Sequence, residues 1–219
     1  MSGRILAIGD IHGCNTALDT LLGQINVQPE DTVVLLGDIV DRGPGTRQVI
    51  ERLLELQQQC NLHFIRGNHE EMLLGVLDGT IDDSRWLLFG GREVLDSYDG
   101  TTDDIPATHV EFLRSSVDYH ETTTDIFVHA NLEPGVPLPE QNSAWLRWTR
   151  YTGQEAALDS GQRVICGHTV QRDGLPTRTR GWACIDTCVY GEGWLTCLDV
   201  LTDEFYQADE AGRFRVGQL

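Results

Sequence analysis

Lysine is absent from this chain of 219 residues: all 16 basic side chains are arginine, set against 34 aspartates and glutamates, for a net charge of −18. That balance excludes nonspecific binding to nucleic acid and to anionic membrane surfaces, both of which depend on excess positive charge. An anionic substrate has to be attracted locally, by metal ions or a few placed arginines. Long apolar runs are also missing. None approaches the ~20 residues of a membrane-spanning helix, and no secretory signal precedes Gly3. The six cysteines (Cys14, Cys60, Cys166, Cys184, Cys188 and Cys197) include no Cys-x-x-Cys pair. Cys60, Cys166 and Cys197 lie in or beside apolar runs, as buried free thiols do, so reduced cysteines and a cytoplasmic location are expected. Only Cys184 and Cys188 stand at a spacing that raises pairing or metal binding. There is no internal repeat and no low-complexity linker. With 40% apolar residues, residues 1–219 read as a single domain with a packed core.

What is present is an alternation of short apolar runs with helical patterns. "RILAIG" (4–9), "TVVLLG" (32–37) and "LHFIRG" (62–67) read as buried strands. Between them Leu18, Leu21, Leu22 and Ile25, then Val49, Ile50, Leu53, Leu54 and Leu56, recur at helical spacing, and "EEMLLGVLDG" (70–79) opens a third helix. The order β-α-β-α-β-α argues for a layered α/β domain with parallel strand neighbours. Residues 97–108 read as a loop and 109–116 as a short helix. "TDIFVHA" (124–130) and "RVICGH" (163–168) are further strands, separated by a loop carrying Pro134, Pro137 and Pro139. "WACIDT", "WLTCLDV" and "EFYQAD" alternate with glycine-containing turns and read as antiparallel strands.

The informative residues stand where these strands stop. The first ends in "GDIHG" with Asp10 and His12, the second in "GDIVDRG" with Asp38, Asp41 and Arg42, and the third in "GNHE" with Asn68, His69 and Glu70; the later strands end in His129 and His168. In an open α/β sheet the carboxyl ends of parallel strands share one rim, where ligands bind. Asp10, Asp38 and Asn68 follow one another at 28 and 30 residues, each about one βαβ unit, so they can converge. Taken singly, Asp10 or Asp38 is an ordinary helix cap, and a lone histidine at a strand end is a hydrogen-bonded structural residue. Five strands each ending in a ligand-type side chain are not explained that way. Asp10, His12, Asp38, Asn68, His129 and His168 offer carboxylate, imidazole and carbonyl donors without thiolate, a set suited to Mn, Fe or Zn. Six such ligands suit two ions sharing one carboxylate, with Asp38 the natural bridge. Glu70 and Glu71 read as structural acids in the first turn of a helix.

"GDIHG", "GDIVDRG" and "GNHE" resemble the three signature blocks of the metal-dependent phosphoprotein phosphatases, the family that includes the eukaryotic serine/threonine phosphatases. The resemblance is closer to the bacterial and phage lambda phosphatase-like branch of the calcineurin-like metallophosphoesterases, which also holds symmetrical diadenosine tetraphosphatases. "WLLFGGREVLDSY" (86–98), "FVHANLEP" (127–134), "WLR" (145–147), "ICGHTVQ" (165–171) and "IDT" (185–187) continue it in family order. Ala130 and Cys188 depart from the family pattern, where glycine is usual, without removing a ligand.

The resemblance implies a layered metallophosphoesterase fold: central mixed β-sheets in a sandwich flanked by helices, with a dinuclear metal site at the strand ends. It implies that Asp10, His12 and Asp38 hold one ion and Asp38, Asn68, His129 and His168 the other, with Mn²⁺ expected and Fe or Zn as alternatives. A hydroxide between the ions would attack phosphorus, His69 would be the general acid, Asp41 its partner, and Arg42 and Arg147 would grip phosphate. The activity implied is that of a serine/threonine protein phosphatase, extending to phosphotyrosine, acting on phosphorylated proteins or peptides, with no nucleic-acid or membrane partner. Two alternatives stand beside it: a symmetrical dinucleoside tetraphosphate hydrolase, and a non-catalytic phosphopeptide-binding module.

Overall fold

The computed structural model describes residues 3–219. The first three apolar runs form parallel strands β1 (Ile5–Ile8), β2 (Thr32–Leu35) and β3 (Asn61–Phe64). Ile8 lies opposite Leu35 and Leu35 opposite Phe64, so the three strands end level. The intervening helices are α1 (Asn15–Ile25) and α2 (Thr46–Gln57), and α3 (Asn68–Leu77) follows β3. Leu18, Leu21, Leu22 and Ile25 form the buried stripe of α1, which ends with Asn26 in the left-handed region (φ 46°) donating its amide to the Leu22 carbonyl. A short helix α4 (Asp83–Trp86), a kinked turn over Leu87–Gly91, α5 (Arg92–Ser97) and α6 (Ala107–Arg114) complete the helical layer.

The chain then builds a second sheet. β4 (Tyr119–Glu121) pairs antiparallel with β5 (Asp125–Val128); β5, β6 (Arg163–Cys166) and β8 (Trp182–Cys184) run parallel, and β7 (Thr177–Thr179) closes the edge. Helix α7 (Ser143–Trp148) lies in the long β5–β6 connection. The C-terminal β9 (Leu195–Asp199), β10 (Glu204–Ala208) and β11 (Phe214–Gln218) return to the first sheet as an antiparallel meander, giving the orders β11-β10-β9-β1-β2-β3 and β4-β5-β6-β8-β7.

The expected sandwich of mixed sheets flanked by helices is therefore present. Ala7, Val34, Leu36, Phe127, Ile165 and Ile185 meet between the sheets. Both faces of β1 and β2 are covered, one by this layer and one by helices, which is why they read as continuous apolar runs rather than alternating ones. One assignment is corrected: Trp182–Cys184 belongs not to the C-terminal antiparallel set but to the second sheet, parallel to β6. It is three residues long and wholly buried, so its sequence carries no alternation to show its pairing.

Candidate active site

Level strand ends place the polar residues together. Asp10, Asp38 and Asn68 follow β1, β2 and β3 directly, and His129, His168 and Asp186 follow β5, β6 and β8. Hydrogen bonds between the sheets join the two rims. The His129 Nδ1 donates to the Leu36 carbonyl (2.7 Å), and the His168 amide donates to both oxygens of Asp10 (3.1 Å). His12, Asp38, Asp41, Arg42 and His168 all have φ between 47° and 71°. Non-glycine residues adopt that region at a cost, and such strain gathers at functional sites.

The carboxylate of Asp38 is the centre. Its Oδ2 lies 3.4 Å from Nε2 of His129, 3.7 Å from Nε2 of His12 and 3.9 Å from Nε2 of His69. His12, Asp38 and His69 form one group with metal-ligand spacing, and Asp38, His129 and His168 form another. The Nδ1 of His12 donates to the Val40 carbonyl (3.0 Å). This contact and that of His129 with Leu36 fix the ring protons away from the centre, leaving Nε2 free to bind an ion. Nε2 of His129 then faces Oδ1 of Asn68 at 3.0 Å. Burial alone would lower the His129 pKa, but Asp38 overcomes it and raises it. Without an ion, therefore, a proton on Nε2 bridges the two atoms; a divalent cation taking that proton's place would satisfy both. Asp10, Asp38 and Asp186 are all at least 97% buried. Burial and the charges of Asp186 and Asp38 push the Asp10 carboxyl well above its ordinary pKa; burial pushes Asp186 up to about 6. Burial alone would raise Asp38 as well, but His129 and His69 hold it well below the usual range. Crowded carboxylates, imidazoles and one amide oxygen, with no thiolate, fit two divalent ions.

Glu70 braces this arrangement. It is fully buried, and its carboxylate accepts from the amides of Asp38 (2.8 Å), Ile39 (2.8 Å) and Gly67 (2.9 Å). Its structural reading is right in kind, though it holds the loop bearing Asp38 as well as its own helix. Gly67 has to be glycine, because a Cβ there would run into the Asp38 carboxylate.

The ring of His69, itself within one of the two groups with metal-ligand spacing, is held from both sides. Nδ1 donates to Oδ2 of Asp41 (2.6 Å), and the other oxygen of Asp41 accepts from the indole of Trp86 (2.8 Å). Nε2 of His69 lies 3.0 Å from a guanidinium nitrogen of Arg42, whose plane stacks 4.4 Å over Tyr190. Burial alone would lower the His69 pKa; Asp38 and Asp41 overcome it and raise it. The demands on Nε2 conflict: the carboxylates favour a proton there, and the arginine favours a lone pair. The Arg42 amide also donates to the carbonyl of Gly90, a glycine at φ 108° packed against Arg42.

Arg147 lies apart from this cleft. Its guanidinium is engaged by the carboxylates of Glu71 and Asp118, joining α7 to α3. Arg42, Arg150 and Arg172 line the cleft instead. Asp186 and Trp86 were not among the expected site residues. Asp186 ends a strand in the same way as the others, in "CIDT", and that signal was available in the sequence. The six cysteines are free thiols; Cys184 donates to the carbonyls of Gly167 and Thr169 rather than pairing with Cys188.

Residues 3–172 match the calcineurin-like phosphoesterase family. The chain belongs to that family. It is 33% identical over 162 residues to the symmetrical bis(5'-nucleosyl)-tetraphosphatase of Chromobacterium violaceum, a match covering 67% of this chain and 52% of that protein. It is 40% identical over 82 residues to the protein of the same name from Paracidovorax citrulli, covering 37% and 29%. The chain thus spans between about a quarter and a half of the length of the curated relatives it matches. Among solved structures it resembles a candidate diadenosine tetraphosphatase (TM-score 0.72, 19% identity, 99% of this chain and 94% of that one). It also resembles a cold-active protein tyrosine phosphatase (0.70, 19%, 99% and 79%). At that identity the likeness is one of fold. The expected superfamily is confirmed. The protein-phosphatase branch is not what the sequence relatives point to, since they carry the name of the alternative activity.

Proposed function

We propose that this chain hydrolyses dinucleoside tetraphosphates at a two-metal site. The observation that carries the reading is the extent of the cleft. It opens to about 840 Å³ and runs from Asp10 and His168 along residues 169–174 to Trp194. A phosphomonoester group fills a small part of that space; a chain of phosphates ending in a base fills much more. At the far end the Trp194 ring is backed by the guanidinium of Arg215 at 4.1 Å, a flat cationic surface suited to a base. The names of the sequence relatives support the same substrate class. A second reading, a phosphoserine or phosphothreonine phosphatase, rests on Leu88 and Phe89. They are 85% and 41% exposed, and Phe89 lies at the cleft beside Arg42 and Gly90, where an apolar peptide segment would dock.

In this scheme Asp10, His12 and Asp38 hold one divalent ion, and Asp38, Asn68, His129 and His168 the other. Mn²⁺ is our expectation, with Fe and Zn suited to the same donors. When bound, such ions supply hydroxide near neutral pH and offset phosphate charge. The protein's own groups do the rest. Arg42, released from His69, meets two phosphate oxygens with its planar fork. His69, now free to be protonated on Nε2, gives that proton to the leaving oxygen. Asp41 keeps the imidazole in orientation and favours its charged form, and Trp86 holds Asp41. The free thiols support a reducing compartment such as the cytoplasm, and among the described residues no helix is long and apolar enough to cross a membrane.

The test sets diadenosine tetraphosphate and a phosphoserine peptide side by side with the Mn²⁺-loaded protein, with products separated by chromatography. Diadenosine tetraphosphate should be turned over faster and give ADP as its nucleotide product. Turnover of the peptide with an intact dinucleotide would reject the reading in favour of the second; turnover of neither would favour a binding module.

A further inference from the structure

Eight of the arginines, Arg147 among them, form ion pairs. The three that line the catalytic cleft do not. Among the described residues Arg42, Arg150 and Arg172 pair with no carboxylate, in a chain with about twice as many acids as bases. Arg42 has His69 and Tyr190 as partners; Arg150 and Arg172 are exposed. Among the described residues Arg66, Arg85, Arg92, Arg180 and Arg215 also lack a carboxylate partner, so it is the shared position along the cleft, not the lack of a partner alone, that sets Arg42, Arg150 and Arg172 apart. Asp10, Asp38, Asp173, Asp186 and Glu192 line the same cleft, so it stays acidic overall; within it, none of these three guanidiniums is tied to a carboxylate.

Their positions are ordered along the cleft. Arg42 belongs to the first sheet's rim. Arg150 and Arg172 belong to the second, on either side of the metal-ligand candidate His168. The His168 Nε2 donates to the carbonyl of Trp148 (3.2 Å), two residues before Arg150. The Tyr151 amide donates to the hydroxyl of Thr169 (2.9 Å), tying the segment after Arg150 to the segment before Arg172. The arm then continues past Gly174 to Trp194. The backbone segments that carry the two arginines are therefore tied to each other and to His168, while the exposed side chains keep their freedom. The arm they line leads away from the reacting centre.

Building on the reading above, we infer that Arg150 and Arg172 form a binding track for the phosphates next to the one attacked. The cleft thereby recognises a linear polyphosphate rather than an isolated phosphate group, with Arg42 serving the scissile phosphorus. A monoester reaches only Arg42. A tetraphosphate reaches all three cations, and each added charged hydrogen bond strengthens binding. Flexible arginines without partners suit this task, since binding does not first have to break an ion pair.

The experiment follows hydrolysis of p-nitrophenyl phosphate, with Mn²⁺ held in excess, and measures inhibition by orthophosphate and by diadenosine tetraphosphate. The readout is the ratio of the two inhibition constants, internal to each protein, so that a loss of active protein cancels. In the unaltered chain the tetraphosphate should bind more tightly by at least an order of magnitude. In R150A/R172A that preference should shrink roughly tenfold or more, and its dependence on salt should flatten. The control R85A/R180A makes the same change in net charge on exposed arginines elsewhere and should keep the preference. An unchanged ratio in R150A/R172A, or an equal loss in the control, overturns the track. If the tetraphosphate competes tightly but is not cleaved, and the preference is lost in R150A/R172A, the track stands and the hydrolase reading falls.

Discussion

The two sheets contribute unequally to one site. The first supplies a braced rim. Three level strands end in tight turns, four of whose functional residues have positive φ, and the buried Glu70 carboxylate ties the Asp38 turn to α3. The second supplies His129 and His168 from a rim flanked by long irregular segments, 129–142 and 149–162, held mostly by side-chain contacts. The difference separates two demands. Reacting groups have to be held within tenths of an ångström, so they sit where backbone and buried carboxylate fix them. Groups that choose the substrate can sit on loops, and Arg150 does.

The largest effect should come from breaking the shared centre. Asp38→Asn removes the one negative charge placed near both histidine groups, and activity should fall by roughly a thousandfold or more, as expected for loss of metal-ion catalysis. Metal content should fall with it, and chelator should imitate the effect in the unaltered protein. Glu70→Gln, one layer out, should lower metal affinity by about 10- to 100-fold, as supporting residues around metal ligands do. Activity that survives complete removal of metal would refute the two-ion site.

Next in size is the acid catalyst. His69→Ala should leave metal content intact and lower the rate by about 10²–10⁴ where the leaving oxygen needs a proton. The loss should be steep for phosphoserine, whose alkoxide is a poor leaving group, and shallow for p-nitrophenyl phosphate or a nucleoside diphosphate leaving group. Asp41→Asn should follow the same pattern more mildly, and Trp86→Phe more mildly still. His69 also stands 3.9 Å from Asp38, within reach of a ligand position. Loss of metal in His69→Ala, or equal losses on both esters, would make it a ligand instead.

The same two rims show what a sequence reveals. The first was legible because each ligand follows an apolar run at once, and periodicity places the intervening helices. The sheet partition was not, because β4, β7 and β8 are three residues long and a buried three-residue strand has no pattern of its own. Contacts between distant side chains were equally hidden. Trp86 reaches Asp41 across 45 residues, and Arg147 reaches Glu71 across 76. A short "WLR" block supplies an arginine but not its partner. In the structure that partner is a pair of carboxylates, so Arg147→Ala should act mainly on stability. About 1–3 kcal/mol should be lost from charged hydrogen bonds, with KM for p-nitrophenyl phosphate nearly unchanged. A large rise in KM at constant stability would mean that Arg147 leaves Glu71 and Asp118 for the phosphate.

The smallest effect lies at the seam where the sheets meet. His63 on β3 and His120 on β4 stack with ring centroids 3.8 Å apart. Asn61 supports His63 by a 3.2 Å contact to Nε2, and Phe127 packs at 5.8 Å from His120. Burial lowers both imidazole pKa values, and His63 lowers that of His120 further. The folded state therefore binds fewer protons than the unfolded chain in the interval below an ordinary histidine pKa of about 6.5. Stability is unaffected by the pair above that value. It declines as pH falls through it, until the folded-state pKa values are passed. Replacing both rings in H63F/H120F keeps a stacked aromatic seam and removes the protons. The drop in Tm between pH of about 7.5 and about 5.5 should be smaller in this variant than in the unaltered protein. Both measurements need the same metal loading, because protons compete with metal ions for imidazole and carboxylate ligands. If the two drops are equal, the seam is held by stacking alone, and the pH response of the fold lies with other groups, such as the buried His109 and the polar rim.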